Sequence, residues 1–176
     1  MTANTSKSNK VKSLSKQVAT FIAKFDPAIA RLTRSARSAL RKRLPTAIEQ
    51  VYDNYNFLAI GFCTTERTSD CIVSLAVSAK GVALSFNNGA LLSDPDKILL
   101  GDGKQNRFVR LESAKTLAQP AVESLIRAAV AQAKKPLSKT ARGYTLVKSV
   151  SNKQRPRRIA PAKKLPRADR PKKRIL

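Results

Sequence analysis

Two amphipathic helical patterns enclose a series of short, β-rich segments, and this order constrains the fold more than any other feature of the sequence. The first pattern begins at Asp26-Pro27, a capping residue followed by proline at the first helical position, and ends before Pro45. The last pattern covers residues 114–134. The β-rich segments between them are 47–63, which is one long bent strand or two short ones, 71–77, 81–86 and 107–111. We therefore predict an α+β fold, a two-layer sandwich whose antiparallel sheet of about five strands carries the N- and C-terminal helices on one face.

The charge of the chain is concentrated at its two ends. The 176 residues include 35 Lys or Arg and 11 Asp or Glu, which gives a formal net charge of +24. Residues 134–176 contain 16 basic residues and a single acid, together with regularly spaced prolines that interrupt helix propagation. We predict a flexible basic arm over residues 1–12, an α+β domain over 13–135 that includes the N-terminal helices, and a disordered, basic, Pro-rich tail over 136–176.

The predicted tail is suited to a polyanionic partner. Each Lys or Arg that neutralises a phosphate releases condensed counterions, so a flexible basic chain binds nucleic acid without reading its bases. Residues 145–176 contain no aromatic side chain, and we expect no base stacking from them. The same composition also suits a solubility tail, a contact with an acidic protein or attraction to an anionic membrane. The residues predicted to contact nucleic acid are Arg155, Arg157, Arg158, Lys163, Lys164, Arg167, Arg170, Lys172, Lys173 and Arg174.

The absence of histidine excludes several kinds of active site and metal site. Ser-His-Asp and Cys-His catalysis and His-containing zinc sites all depend on it. No apolar stretch reaches the roughly 18 residues of a membrane span, and no apolar secretory segment lies near the start. The Lys-rich helical pattern over 11–25 has some features of a mitochondrial transit peptide, although it lacks Arg. We expect a cytoplasmic protein without a transmembrane segment, and the oligomeric state stays open.

Polar and aromatic residues cluster in the first β-rich segment and in the polar loop that follows it. Alternation places Tyr52, Asn54 and Asn56 on one side of a strand. Together with Glu66, Arg67 and Asp70 of the following polar loop, they could line a cleft for a small ligand. The alternative is structural, because tyrosine also packs sheet edges and asparagine also forms bends.

Several stretches of the middle region are similar to a known bacterial family. They are VYDNYN at 51–56, IGF at 60–62, TERTSD at 65–70, the IVSLAV strand and GALLSDPDKILLGDGKQNRFVRL at 89–111. Over roughly residues 20–133 the chain resembles the YdhG-like domains of unknown function, and SNKQRPRR at 151–158 looks like a basic tail of some relatives. The resemblance implies a frataxin-like α+β fold with the helices on one face of the sheet. Some family members are linked to iron handling.

An iron site would need carboxylate oxygens in a chain that lacks histidine. The candidate ligands are Glu66 and Asp70 in one loop and Asp94, Asp96 and Asp102 in another region, although Asp94 also suits a helix cap and Asp102 a turn. A frataxin-like iron site uses an acidic first helix, whereas the corresponding helix here carries several arginines. We therefore expect no metal and no other cofactor, and keep iron as the alternative.

These observations together predict a non-enzymatic binding or accessory protein whose basic tail contacts nucleic acid non-specifically. The alternatives are a frataxin-like iron carrier, and a small-ligand-binding domain or an enzyme that works without histidine. An enzyme of that kind would use Tyr52, Asp53 or Glu66 as acid or base, because burial can move a carboxyl pKa towards neutrality.

Overall fold

A computed structural model describes residues 2–159, with side chains from residue 13 onward. Its three helices are α1 (Thr2–Ala23), α2 (Pro27–Arg43) and α3 (Pro120–Ala131). Its six strands are β1 (Ile48–Asp53), β2 (Leu58–Cys63), β3 (Cys71–Ser78), β4 (Gly81–Phe86), β5 (Arg107–Leu111) and β6 (Thr145–Val150). The general α+β class predicted from the sequence is confirmed.

The strands form one mixed sheet in the order β5-β4-β3-β2-β1-β6. Strands β1 to β5 are antiparallel neighbours, and β6 pairs in parallel with β1 at the sheet edge. This corrects the prediction of about five antiparallel strands, because the sixth strand lies in the segment predicted to be a disordered tail. Val147 packs against the hydrophobic core, and β1 supplies the hydrogen-bonding edge that an isolated tail would lack.

One face of the sheet is covered by the helices. The cross-strand row Val51, Ile60, Leu75, Leu84 and Val109 is buried and belongs to a single hydrophobic core. Apolar residues of all three helices belong to the same core. The neighbouring row on the opposite face is partly exposed and mostly small; it consists of Tyr52, Ala59, Ala76, Ala83 and Arg110.

The helix boundaries follow local signals. The Asp26 carboxylate accepts a hydrogen bond from the Ala28 amide at 3.0 Å, which confirms the predicted cap of α2. Helix α1 begins at Thr2 and therefore covers most of the segment predicted as a flexible arm, since no glycine or proline interrupts residues 2–23. Helix α3 is shorter than predicted, because Pro120 starts it after a separate 3-10 turn at Ala114–Ala118.

Candidate functional site

Residues 139–158, named here the cationic strap, contain seven Lys or Arg and no Asp or Glu. The strap includes the edge strand β6 and then continues past the β1–β2 turn. The Ser151 amide donates to the Asp53 carbonyl, and the Arg155 amide donates to the Tyr55 carbonyl, both at 2.9 Å. The strap is therefore an ordered part of the domain.

A buried carboxylate anchors the end of the strap. Asp53 is 0% exposed, and its two oxygens bind two different cations: Oδ1 accepts from Arg157 Nη2 at 2.9 Å and Oδ2 from Lys24 Nζ at 2.6 Å. Gln154 belongs to the same cluster of contacts, because its Oε1 atom accepts a hydrogen bond from Lys24 Nζ at 2.9 Å. Arg157 lies over the ring of Phe25 and donates to the Asn54 carbonyl. Because both charges are buried, removing either partner alone would leave the other without compensation in the interior.

These contacts correct part of the predicted nucleic-acid surface. Arg157 is only 6% exposed, so it holds the strap to the domain and cannot reach a ligand in this structure. Arg158 donates to the carbonyls of Phe25 and Ala23 at the end of α1. Arg155 stays exposed and stacks over the ring of Tyr55. The other residues predicted to contact nucleic acid lie outside the described residues; they are Lys163, Lys164, Arg167, Arg170, Lys172, Lys173 and Arg174.

The rest of the strap presents its charges to solvent. Lys139, Arg142, Lys148 and Lys153 are all exposed, and within the described residues none of them forms an ion pair with a carboxylate. Lys148 donates to the Glu66 carbonyl at 3.1 Å, which leaves its charge unneutralised. The side chains of residues 13–159 carry 25 Lys or Arg and 10 Asp or Glu, so a large positive excess belongs to the folded part of the chain. Such a surface attracts polyanions.

A second buried carboxylate joins β6 to helix α2. Glu49 accepts from Arg37 through both oxygens, at 2.6 and 2.7 Å, and from Thr145 at 2.7 Å. Burial by itself would raise the pKa of Glu49, but the hydrogen bonds and charges of Arg37, with Thr145 and Arg41, outweigh it and lower that pKa below its usual value. Part of the arginine face of α2 is thus structural, while Arg31 and Arg34 are exposed.

A cleft of about 570 Å³ lies between the loop after β2 and the C-terminal end of α3. Arg67 and Asp70 line it, as do Lys134 and Lys135 from the segment after the helix. Of the six residues predicted to share a ligand cleft, only Arg67 and Asp70 line this one. A hydrogen bond from the Thr65 hydroxyl at 2.5 Å and the nearby charges of Lys135 and Arg67 lower the pKa of Asp70, although desolvation opposes them.

The other four predicted cleft residues have structural contacts. The Tyr52 hydroxyl donates to Gln50 Oε1 at 2.8 Å and also bonds the Thr68 hydroxyl at 2.7 Å, which holds the loop against the open face of the sheet. Asn54 and Asn56 form the β1–β2 turn, where the Asn54 amide donates to the Phe57 carbonyl. Glu66 accepts from the Tyr144 hydroxyl at 2.6 Å and raises the pKa of that tyrosine.

The aspartates of the iron alternative do not converge. The Asp94 carboxylate accepts from the amides of Ile98 and Leu99 at 3.1 and 2.8 Å, and thus closes a turn. Asp96 and Asp102 are exposed. Among the described side chains, no three Asp, Glu, Cys or His residues are placed to hold a metal ion.

Cys63 and Cys71 are register partners on β2 and β3, and both are free thiols. A hydrogen bond with Cys71, together with burial, raises the pKa of the Cys63 thiol. The same hydrogen bond lowers the pKa of Cys71, although burial opposes this effect. Cys71, which lines the cleft, is therefore the more acidic of the two thiols.

Comparisons with protein-family models, curated proteins and solved structures find no match to this chain. The YdhG-like assignment and the frataxin-like arrangement therefore stay predictions. No helix in the described part of the chain is both long and apolar enough to cross a bilayer.

The pairing of the two buried carboxylates, Glu49 and Asp53, with their cations was not predicted from the sequence. Glu49 and Asp53 share the core-facing side of β1 with Val51, and this parity was the available signal. A carboxylate on a buried strand face needs a cation. One such cation, Arg37, lies on the preceding helix, but the other, Arg157, lies 104 residues away in sequence. Only the folded chain reveals that pairing.

Proposed function

We propose that this protein is a non-enzymatic binding protein that contacts nucleic acid non-specifically through the cationic strap. The observation that carries the proposal is the set of exposed, carboxylate-free cations at Lys139, Arg142, Lys148 and Lys153 on an ordered part of the domain. The Gly143 amide donates to the Pro45 carbonyl, β6 pairs with β1, and Arg157 binds Asp53, so the strap is held in place before binding and loses less conformational entropy on contact than a free tail.

The exposed cations of the strap favour contact with phosphates, and we expect no recognition of the base sequence. Its long cationic side chains release counterions from any phosphate backbone, whatever the sequence. Lysine on an edge strand also discourages pairing with another chain, which by itself would explain Lys148. It does not explain Lys139, Arg142 or Lys153, because these residues lie outside β6.

The test is fluorescence anisotropy with labelled duplex DNA, single-stranded DNA and RNA of unrelated sequences. We expect log K to fall linearly with log salt between roughly 50 and 200 mM KCl, with similar slopes for different sequences. Absence of binding at low salt, or an affinity that does not change with salt, would contradict the proposal.

A chain that ends at residue 159 is the matched control. It keeps the strap and removes seven further Lys or Arg between residues 160 and 176. We expect it to bind with a smaller but still clearly negative salt slope. Complete loss of binding would place the contact in residues 160–176 and refute the role of the strap.

A further inference from the structure

We propose that the cleft between the loop after β2 and the end of α3 binds a small organic phosphate monoester. This site is separate from the strap and goes beyond contact with nucleic acid. Its volume of about 570 Å³ lies within the usual range for small-molecule sites, roughly 300 to 1,000 Å³. It has a charged rim, a buried polar atom and an apolar wall, and each restricts the ligand.

The rim of the cleft favours a doubly charged anion. Three cations line it, Arg67, Lys134 and Lys135, against a single carboxylate, Asp70. The hydroxyl of Thr65 and the ammonium of Lys135, 4.0 Å away, already occupy that carboxylate. A phosphate monoester carries a charge of about −1.5 to −2 at neutral pH, which matches the excess of two positive charges. A guanidinium such as that of Arg67 also fits two phosphate oxygens at once.

A polar atom in the wall of the cleft lacks a partner. The Oγ1 atom of Thr64 is buried and has no hydrogen-bond partner among the described residues. An unsatisfied buried hydroxyl is unfavourable, so native proteins usually supply a partner. Because Thr64 precedes the loop that carries Arg67, a ligand held at the rim comes within reach of both. Because the Oγ1 atom is buried in the free protein, a phosphate oxygen would satisfy it after the Thr64 side chain rotates towards the cleft.

The inner wall of the cleft is apolar and calls for a ligand with a hydrocarbon part. Cys71, Ala129 and Ala133 line it and keep part of their surface exposed, whereas Ile72, Phe86 and Leu92, which also line it, are each at least 91% buried. Inorganic phosphate alone would leave this wall uncovered. The side chains of Asn88 and Gln105 add neutral donors and acceptors at the opening. We therefore expect the phosphate and the apolar group of the ligand both to contribute to its affinity.

The direct test is isothermal titration calorimetry of the full chain with phenyl phosphate as the probe. Inorganic phosphate and phenol serve as probes of the two halves. We expect phenyl phosphate to bind at least about tenfold more tightly than either half. Absence of measurable binding of phenyl phosphate, or affinity no greater than that of inorganic phosphate, would overturn the proposal.

Two charge variants locate the binding. Arg67→Gln should weaken the binding of phenyl phosphate by on the order of tenfold or more, because it removes a charged hydrogen-bond donor from the rim. Lys153→Gln, an equally exposed change on the strap, should leave it unchanged. Equal weakening by both variants would reduce the effect to net charge and refute the site.

Thr64→Val gives a further test, because its two expected effects have opposite signs. Replacing the unsatisfied hydroxyl by a methyl group should preserve or raise the thermal midpoint of the free protein. The same change should weaken the binding of phenyl phosphate several-fold. Unchanged affinity would mean that the hydroxyl does not face the ligand and would overturn its part in the proposal. Strap binding to DNA should not respond to Thr64→Val, so failure of this proposal is distinguishable from failure of the proposed function.

Discussion

Neutralising Asp53 tests the buried contact on which the ordered strap depends. In Asp53→Asn, the side chain keeps nearly the same size but loses the charge that faces Arg157 and Lys24. Arg157 remains 6% exposed, and two of its nitrogens, Nε and Nη1, already lack a hydrogen-bond partner among the described residues. We therefore expect its charge to be left without compensation in the interior.

The magnitude follows from the burial of each partner. Breaking a buried ion pair by removing one charge costs about 3 to 5 kcal/mol. The Lys24 contact adds less, because the side chain of Lys24 is 34% exposed and such pairs contribute about 1 kcal/mol or less. For a domain of this size, the predicted loss lowers the melting temperature by roughly 6 to 20 °C. The stability lost in Asp53→Asn therefore comes from the contact with Arg157 far more than from the contact with Lys24.

The assay is urea and thermal unfolding followed by circular dichroism. Asp102→Asn, a change at an exposed carboxylate in the loop before β5, is the matched control and should change stability by less than about 0.5 kcal/mol. In the double variant D53N/R157M both charges are absent, so we expect it to be more stable than Asp53→Asn alone. A stability of Asp53→Asn equal to that of the control would refute a buried ion pair at Asp53. So would a loss in the double variant equal to the sum of the two single losses.

Two further predictions concern the segment that joins the sheet late in the chain. Folding lowers the pKa of Glu49, so the unfolded state binds the proton more readily than the folded state. The contribution of ionised Glu49 to the free energy of unfolding is therefore present above the usual pKa of 4.5 and is lost as the pH falls below it. Unfolding free energies of the parent and Glu49→Gln should therefore converge between about pH 5 and pH 3, and a constant difference would count against the Glu49 network. A chain ending at residue 159 should keep the parent's unfolding midpoint, whereas a chain ending at residue 144 should lose more than about 3 kcal/mol, since it lacks β6 and Arg157. Equal midpoints for the two chains would show that β6 is dispensable.

The local parts of the fold were predictable because local signals determine them. The Asp26-Pro27 cap, the β1–β2 turn at Asn54 and the β3–β4 hairpin all depend on a few neighbouring residues. Strand β6 was not predictable in the same way. Its sequence, TLVKSV, is short and lies in a basic, Pro-containing region, and its stability depends on the distant edge of β1.

The functional surface likewise has features that the sequence predicts and features that depend on long-range packing. Composition alone indicated an attraction for polyanions, but it attributed the charge to a flexible tail. Arg157 and Lys153 cannot be distinguished by sequence pattern, yet one is buried against Asp53 and the other is exposed. The cleft at Arg67 and Asp70 was anticipated only in part, because its other side is formed by the end of helix α3, about 60 residues further along the chain. Long-range packing decides which charges are available.

The most direct test of the central claim is the salt dependence of DNA binding by two variants of equal net charge. The strap variant replaces Lys139, Arg142, Lys148 and Lys153 by glutamine. The control variant replaces four exposed cations elsewhere by glutamine, namely Lys80, Lys104, Lys115 and Arg127. Each lost phosphate contact reduces the slope of log K against log salt by about 0.9. We predict a clear reduction in the strap variant and nearly the parent slope in the control. Equal slopes in the two variants would contradict the account, because binding would then depend on net charge alone.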